Sequence, residues 1–521
     1  MILKDPKISQ AVASISQRAE RQKAINKLVN SYVEVGILPQ LLNTNNQILF
    51  GRRGTGKTHI LRILETRLKE NSGIAVCYID GRTLGSSPQF TDQNLPINYR
   101  CGSLFIDILN EISYSLLDHI AHHPNGDSDI ALEALDNFNK SSVEEIKRGR
   151  KVFAKHSQSD QKSYSDEIGA SIKDFKLSSS SATSKTKNDE KTEEFLVEEY
   201  KKIIFPELHH YLQKTLQKAD NDLYIIIDEW SAIPLEIQPF LAEFLKKSFI
   251  AIPEVSIKIG ALEYRSNFTI PRDKHNYIGF ELGSDISANL DIDDYYVFDR
   301  NPDKITDTFV QILHKHLKSE LEEDYLKDVY DITTDNKLLQ QFFTGKPAFR
   351  ELVRASEGVI RDFINIFTLS FFDAQRSGKT SIEKRTIIES SQQWFERDKS
   401  QNLDSVLESK LRLIVDEVIG KKKARSFMVS KEVEKHEIIQ KLFDARVIHF
   451  VKRGYSDKDN PGVRYNIYSL DYGTYVDLIN TSKEPQIELE FSDVTDDDIV
   501  IPFDDNRSIR RIILSKDQLE D

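Results

Sequence analysis

Cysteine is almost absent from this 521-residue chain, in which Cys77 and Cys101 stand alone. Two cysteines are too few for a disulfide framework, and Cys77 lies in an apolar run, which indicates a reduced core residue. No apolar run approaches the length of a membrane span, and the N-terminus lacks the pattern of a signal peptide. We therefore expect a protein of the reducing cytoplasm that does not enter a membrane.

Side-chain metal clusters and nucleophilic triads are also missing from the pattern. The histidine pairs at 122–123 and 209–210 have no cysteine or histidine at ligand spacing, which indicates surface residues. The net charge of −12 argues against indiscriminate binding of nucleic acid by the whole surface, although it is compatible with a local basic patch. The apolar fraction of 39% is enough for folded cores, and the length predicts about two to four domains.

The most informative stretch begins at Gln47. Ile48–Phe50 predict the end of a buried strand, a glycine-rich turn follows, and the apolar spacing after the turn predicts a helix. The pattern G-x-x-x-x-G-K-[ST] is matched in this strand–loop–helix context, which a phosphate-binding loop requires. We expect the nucleotide to be held by Gly51, Arg52, Arg53, Gly54, Thr55, Gly56, Lys57, Thr58 and His59.

The residue types of this loop have a chemical reason. Glycines let consecutive backbone N–H groups turn inward around phosphates, and a helix N-terminus adds partial positive charge. Lys57 would reach the β- and γ-phosphates, and the Thr58 hydroxyl would ligate Mg²⁺. Upstream, Tyr32 and Val35 are candidates for the wall of an adenine site and, equally, for plain core residues. The predicted cofactors are ATP and Mg²⁺.

A second signal lies in Leu223–Trp230, where an apolar run ends in the acidic pair Asp228 and Glu229. A carboxylate at the C-terminal end of a strand can hold Mg²⁺, and its neighbour can polarise an attacking water. We assign Asp228 to the metal and Glu229 to the water. Such a run is weak evidence alone, but downstream of a phosphate loop it is strong.

The alternation of strand-like and helical runs predicts the fold class. Further strands are expected at Gly73–Asp80, Val255–Leu262 and Asp294–Asp299. This pattern predicts an α/β domain, a P-loop NTPase parallel sheet with helices on both faces.

A polar stretch at about 124–194 interrupts this alternation. Its serine-rich, highly charged composition predicts an insertion, partly helical at 130–155 and flexible at 176–192.

The phosphate loop, the strand ending in Asp228 and Glu229, and the helix after it resemble an AAA+ ATPase, most closely the origin-recognition or initiator-type branch. The resemblance covers roughly residues 14–380, apart from the insertion. It implies a homo-oligomer and an α-helical lid, for which the helical pattern of 304–378 provides a segment. Within that segment, Ser356–Phe363 resembles the second sensor of the family, so Arg361 would reach the γ-phosphate.

Two other roles of the family have less clear matches. The first sensor is usually Asn, Thr or Ser, whereas the first polar residues after Val255–Leu262 are Glu263 and Arg265. An arginine finger supplied to a neighbouring subunit would come from the same region, with Arg265, Arg272 and Arg300 as the candidates.

Residues 405–480 have the pattern of a winged helix, which initiator-type ATPases carry after the lid. Helical stretches at 405–419 and 431–443 precede two strand-like runs joined by a polar loop at 454–462. The domain is either a DNA-binding module or a protein-interaction module. Candidate DNA contacts are Lys421, Lys422, Lys423, Arg425, Lys452, Arg453, Lys458 and Arg464.

The tail is acidic and then basic, and alternation in Ile487–Phe491 and Ile499–Phe503 predicts short strands. It is either a partner-binding segment or a strap on the ATPase body. The predicted domains are an N-terminal helical segment (1–45), the ATPase core with its insertion (46–301), the lid (302–400), the winged helix (405–480) and the tail (484–521).

Two functions remain open at this point. In the first, an oligomeric ATPase loads onto or remodels DNA through the winged helix. In the second, a nucleotide-dependent switch recruits a protein effector through the insertion (124–194) or the tail (484–521), for example in bacterial anti-phage defence or a mobile element.

Overall fold

A computed structural model describes residues 1–15, 22, 24–85, 90, 92–141, 144–152, 176–184, 194–273, 276–421, 424–456, 462–474 and 512–520. Its helices, in chain order, are α1 (Pro6–Ile15), α2 (Ile25–Ser31), α3 (Leu38–Leu41), α4 (Lys57–Leu68), α5 (Ile97–His122), α6 (Ser128–Ser141), α7 (Phe205–Ala219), α8 (Gln238–Leu245), α9 (Pro302–Glu320), α10 (Tyr325–Tyr330), α11 (Asp335–Phe342), α12 (Lys346–Ala355), α13 (Ile360–Arg376), α14 (Lys384–Trp394), α15 (Ser405–Val415), α16 (Lys431–Glu434), α17 (Glu437–Asp444) and α18 (Asp517–Glu520).

The strands are β1 (Gln47–Phe50), β2 (Ile74–Asp80), β3 (Glu144–Val152), β4 (Lys176–Ser184), β5 (Glu194–Lys202), β6 (Asp222–Asp228), β7 (Val255–Ala261), β8 (Thr269–Pro271), β9 (Tyr277–Gly279), β10 (Ser287–Asp291), β11 (Ser426–Ser430), β12 (Ile448–Ser456), β13 (Arg464–Leu470) and β14 (Ile513–Leu514).

The chain divides into two compact units. The sheet unit comprises residues 38–49 and 64–290, and the lid unit comprises residues 1–37, 50–63 and 291–521.

The central sheet has the strand order β10-β1-β7-β6-β2. Strands β2, β6 and β7 are parallel, and Asp80 lies opposite Asp228 in the register. Strands β6 and β7 are buried along nearly their whole length, as expected for a parallel sheet covered by helices on both faces. The predicted α/β class is therefore confirmed, and β7 separates β1, which leads into the phosphate loop, from β6, which ends at Asp228.

The expected strand at Asp294–Asp299 is wrong. The strand at the edge next to β1 is β10, and residues Ile292–Tyr295 and Phe298–Arg300 form 3-10 turns instead. The carboxylate of Asp291 accepts the N–H of Asp293 at 3.0 Å, and such a local bond turns the chain out of the strand. Of the aromatic residues that suggested a strand, Tyr296 and Phe298 are buried and Tyr295 is half-buried.

The insertion differs from expectation in two places. Helix α6 confirms a helix, but it ends at Ser141, and the backbone of 144–152 is strand β3 rather than helix. The first part of the stretch expected to be flexible is strand β4; β3 and β4 both pair antiparallel with β5. Serine-rich composition misled here because a strand is held by backbone hydrogen bonds. Residues 185–192 lie outside the described part of the chain.

The N-terminus completes the lid. Helix α1 packs on α9 and α13, with Ile8 and Val12 fully buried. The carboxylate of Asp5 accepts the hydroxyls of Tyr325 and Tyr330 at 2.7 and 2.6 Å. The first fifteen residues are therefore part of the lid core.

The winged-helix region contains the sheet β12-β13-β11-β14 with helices α15, α16 and α17, and its predicted architecture is confirmed. The predicted hairpin corresponds to the antiparallel pair β12 and β13. The C-terminal strand β14 pairs parallel with β11, so the described end of the tail packs on the winged helix. The expected strands at Ile487–Phe491 and Ile499–Phe503 fall outside the described residues.

Among the described residues, no helix has the length and apolar character that crossing a membrane requires.

Substituting Ile8→Ala tests the place of the N-terminus in the lid core. Because Ile8 is fully buried, the truncation should lower the free energy of unfolding by about 2–5 kcal/mol. The matched control Ile25→Ala, at a side chain 58% exposed, should cost about 0.5 kcal/mol or less. Urea denaturation followed by circular dichroism measures both, and equal losses would contradict the packing described.

Candidate nucleotide site

The phosphate loop leaves the buried strand β1 and ends where α4 begins at Lys57. The Lys57 side chain is 7% exposed, and its Nζ donates to the carbonyl oxygens of Gly51 and Arg52 at 2.6 and 3.0 Å. The Thr55 hydroxyl also donates to the Arg52 carbonyl, at 2.8 Å. The lysine and the loop therefore hold each other in a defined conformation. Thr58 is the second residue of α4 and is half-buried.

The start of α13 lies directly on this loop. The Arg361 N–H donates to the Gly54 carbonyl at 3.0 Å. Gly54 has a φ of +87°, and a Cβ added there would lie 2.7 Å from the Cβ of Arg361. Glycine is needed at this position for both its conformation and the close approach of the helix. Contact of Arg361 with a γ-phosphate stays a prediction, and the backbone of the residue lies beside the loop, as that role requires.

Arg52 is 5% exposed and bonds to protein groups. Its N–H donates to Asp293 Oδ2 at 2.8 Å, and its Nε donates to Asp293 Oδ1 at 3.0 Å. The guanidinium also donates to the Glu357 carbonyl at 3.3 Å and bonds to His449 Nδ1. Arg52 therefore supports the loop through bonds within the protein, and its predicted contact with a nucleotide stays a prediction. Its neighbour Arg53 is exposed.

His59, at the start of α4, faces the segment that precedes β1. Its Nε2–H donates to the Leu28 carbonyl at 2.7 Å, and its ring centroid lies 5.8 Å from that of Tyr32. Burial lowers the pKa of the His59 imidazole below its ordinary value, so the ring packs as a neutral group. Tyr32 and Val35 are half-buried, and their contact with a base stays a prediction.

In the sheet unit, Asp228 ends β6 and is 1% exposed. Its Oδ2 accepts the hydroxyl of Tyr78 at 2.8 Å, and its Oδ1 accepts the N–H of Glu229 at 2.8 Å. Within the described residues, Asp228 forms no ion pair with lysine, arginine or histidine. A buried carboxylate that has only neutral donors lacks a compensating charge within the protein, and a divalent cation can supply one by binding to it.

The turn after Asp228 is strained and tightly fitted. Glu229 has a φ of +53°, a left-handed conformation that costs a residue with a side chain about 1–2 kcal/mol. The Gly81 N–H donates to the Asp228 carbonyl at 2.8 Å, and a Cβ at Gly81 would lie 2.5 Å from the Glu229 carbonyl oxygen. Tyr78 and Gly81 were missed by sequence reasoning. The Asp80-Gly81 end of a neighbouring parallel strand was the available signal, because such ends meet at one sheet edge.

The residues fit Mg²⁺ held jointly with phosphates. Among the described residues, no group of three or more His, Cys, Asp or Glu side chains can hold a metal ion. Magnesium usually takes one or two protein ligands, and water and phosphate oxygens supply the rest. The Asp228 carboxylate is a ligand of that kind, and the assignment of Asp228 and Thr58 to one metal ion stays a prediction.

The three finger candidates differ in their surroundings. Arg265 lies exposed in a 3-10 turn after β7, where its carbonyl accepts the Gln238 side chain at 3.2 Å. Arg272 is exposed at the β8–β9 hairpin. Arg300 donates to the Val451 carbonyl and the Asp294 carboxylate, both at 2.9 Å. Arg300 therefore already bonds within its own chain, and the role of each of the three residues as an arginine finger stays a prediction. Glu263, the candidate first sensor, is half-buried in the same turn as Arg265.

Several basic residues expected to contact DNA have partners inside the chain. Arg425 is buried in an ion pair with Glu357, and Arg453 pairs with Asp291 at 2.6 Å. Lys421 pairs with Glu417. Lys452 and Arg464 are exposed, while Lys422, Lys423 and Lys458 lie outside the described residues.

The contact between the loop and α13 is tested by Gly54→Ala, with Gly378→Ala as its control. Both glycines have positive φ, but a Cβ at Gly378 would meet nothing within 4 Å. Both variants should lose about 1–2 kcal/mol for the left-handed conformation, and Gly54→Ala should lose a further 1–3 kcal/mol, roughly, from the clash with Arg361. Urea denaturation measures the difference, and equal losses would exclude the described approach of α13.

Comparison with solved structures finds similar but distant proteins. The chain is similar to Cdc6p from Pyrobaculum aerophilum, at 13% identity and a TM-score of 0.32, covering 89% of this chain and 96% of that one. It is also similar to the Aeropyrum pernix ORC2 protein in its ADPNP–ADP complexes, at 11% identity and a TM-score of 0.32, covering 91% and 98%. It is similar as well to the A. pernix ORC1 protein in complex with DNA, at 14% identity and a TM-score of 0.29, covering 87% of this chain and 94% of that one. Likeness at this distance assigns no function.

No curated protein matches the chain. A sequence model described as ORC-CDC6-like matches residues 16–301, which is more than half of the chain. The match includes the phosphate loop and the acidic pair, and it confirms the resemblance to an initiator-type AAA+ protein. The chain belongs to the ORC-CDC6-like family.

Proposed function

We propose that this protein binds and hydrolyses ATP with Mg²⁺. The proposal is carried by Asp228, a buried carboxylate without an ion-pair partner among the described residues, at the end of a central strand. The sheet that contains this strand also contains β1, which leads into the phosphate loop. A bound cation would supply the compensating charge that this buried carboxylate lacks.

Each residue then has a role. The loop N–H groups and the start of α4 bind the phosphates, and Lys57 exchanges its bonds to two loop carbonyls for stronger bonds to phosphate oxygens. Asp228 and Thr58 hold the metal, which when bound neutralises charge on the phosphates. Glu229 orients and polarises the attacking water, and Arg361 contacts the γ-phosphate.

The use of this ATP cycle is a further part of the proposal. We infer an oligomer in which Arg265 or Arg272 acts on the nucleotide of a neighbouring subunit, and a winged helix that binds DNA. Membership of the ORC-CDC6-like family supports this inference. Lys452 and Arg464, exposed on β12 and β13, are the described residues best placed to contact phosphates.

A second candidate function is a nucleotide-dependent switch that recruits a protein effector. One observation favours it: Arg425 and Arg453 pair with carboxylates of the same chain. On α17, Lys441 pairs with Glu437. Part of the basic charge expected at the DNA-binding face is therefore paired within the chain.

Two substitutions separate ATP binding from hydrolysis. Lys57→Ala should abolish ATP binding, because it removes the cation that contacts the phosphates. Glu229→Gln should bind ATP with affinity within a few fold of wild type but lower turnover by about 10²-fold or more, because the amide is no base. Calorimetric titration and phosphate release measure the two effects.

The matched control is Lys69→Ala, which removes an exposed lysine just beyond α4 that pairs with Glu65. It should change neither the affinity for ATP nor the rate of hydrolysis. Full ATP binding by Lys57→Ala would overturn the proposed site.

DNA binding is tested with the double variant Lys452→Ala/Arg464→Ala. Each lost phosphate contact should make the negative slope of log affinity against log salt less steep by about 0.9. The slope of the double variant should therefore be less steep than that of wild type by about 1.8. Lys441→Ala, at a lysine already paired on α17, should leave the slope unchanged. Fluorescence anisotropy with duplex DNA between 50 and 200 mM salt measures it (roughly the range over which such contacts respond), and absence of binding by wild type would favour the effector function.

A further inference from the structure

Arg52 connects the phosphate loop to the winged helix. Its guanidinium bonds to His449 Nδ1 on β12 and lies 5.2 Å from the ring centroid of Phe443 on α17. The same side chain is fixed by Asp293 on its other side. A residue of the loop itself is therefore anchored in the core of a domain that follows it by about four hundred positions.

His449 accepts on one ring nitrogen and donates on the other. It is 2% exposed, and its Nε2 lies 2.7 Å from Asp471 Oδ2. Burial lowers the pKa of His449 to about 3, and the adjacent Arg52 charge acts in the same direction. The ring is therefore neutral, and only the Nε2–H tautomer satisfies both neighbours, because Nδ1 must accept from Arg52. Exchange of this histidine for an apolar residue would break two buried bonds.

A second connection runs through the start of α13. Arg361 bonds through its N–H to the loop carbonyl of Gly54. The next residue, Asp362, is fully buried and forms ion pairs with Arg446 and Lys399.

The two connections meet at one lysine. Lys399 pairs with Asp362 and with Asp471, and Asp471 also receives the bond from His449. The path from Arg52 and the path from Arg361 thus meet in one network of buried polar and charged side chains.

This network makes independent movement of the loop and the winged helix costly. Removing one member of a buried charged pair typically costs about 3–5 kcal/mol, because the other charge is left without a partner. The phosphate loop is also where Lys57 would exchange partners on binding nucleotide. If Gly51, Arg52 or Gly54 moves when Lys57 changes partners, the side chains bonded to the loop must move with it.

We propose that His449 is a positioning residue for the phosphate loop: by fixing Arg52, it couples the nucleotide bound there to the seating of the winged helix. The inference rests on the proposed ATP binding. It assigns the winged helix a role in distinguishing ATP from ADP, in addition to any binding of DNA or an effector. By linkage, the nucleotide that favours one seating of the winged helix is itself bound more tightly in that seating.

The test compares the affinities of the full-length protein for ATPγS and ADP with Mg²⁺, measured by calorimetry. His449→Leu should change the ratio of the two affinities by at least about fivefold, the lower end of typical coupling. His449→Gln, which can still accept from Arg52 and donate to Asp471, should restore at least half of that change on a logarithmic scale. The matched control His436→Leu removes a histidine that caps α17 and lies outside the network, and it should leave the ratio unchanged.

Hydrogen exchange gives a second readout. In wild type, ATPγS and ADP should give different protection of the β12 and β13 amides, and in His449→Leu that difference should disappear. A merely structural role would lower the melting temperature and leave the affinity ratio intact, and that result would overturn the proposal. If His449→Leu does not fold, Phe443→Leu removes the ring beside the guanidinium and must change the ratio in the same direction. Absence of ATPγS binding by wild type would instead overturn the proposed function itself.

Discussion

The lid unit depends on the ion pair and hydrogen bonds that the buried guanidinium of Arg52 forms. It neutralises Asp293 in the turn after β10 and bonds to the lid through Glu357. It also reaches the winged helix at His449. A buried arginine is tolerated only when its donors are matched by acceptors, and here the acceptors come from three separate parts of the chain. The conformation of the phosphate loop is therefore decided by segments that follow it by more than two hundred residues.

Charge is used differently in the sheet unit. Asp228 is as deeply buried as Arg52, but within the described residues it has neutral donors in place of an ion-pair partner. The charge of Arg52 is compensated within the protein, whereas Asp228 is a carboxylate to which a cation can bind. The winged helix follows the first pattern, since Arg425 and Arg453 are paired with carboxylates of this chain. Its basic composition therefore overstates the positive charge of its surface.

Sequence patterns failed where tertiary contacts outweighed local preference. The strand expected at Asp294–Asp299 is a pair of turns, because the Asp291 carboxylate bonds to the next turn and burial of aromatic residues does not require a strand. The stretch expected to be flexible from residue 176 begins with a strand, since backbone pairing with β5 does not depend on an apolar sequence. Arg52 matched a variable position of the loop motif, and a motif does not specify what a variable side chain contacts.

The sequence by itself determined the phosphate loop, the acidic pair, the alternation that makes a parallel sheet, and the order of lid and winged helix. These depend on glycine conformation, apolar periodicity and short spacings, which are local properties of a chain. Only the tertiary structure decided that Tyr78 and Gly81 support Asp228, that the first fifteen residues complete the lid, and that His449 holds a residue of the phosphate loop. Those contacts join positions far apart in sequence, and a local sequence pattern does not predict which distant residues will pair in the core.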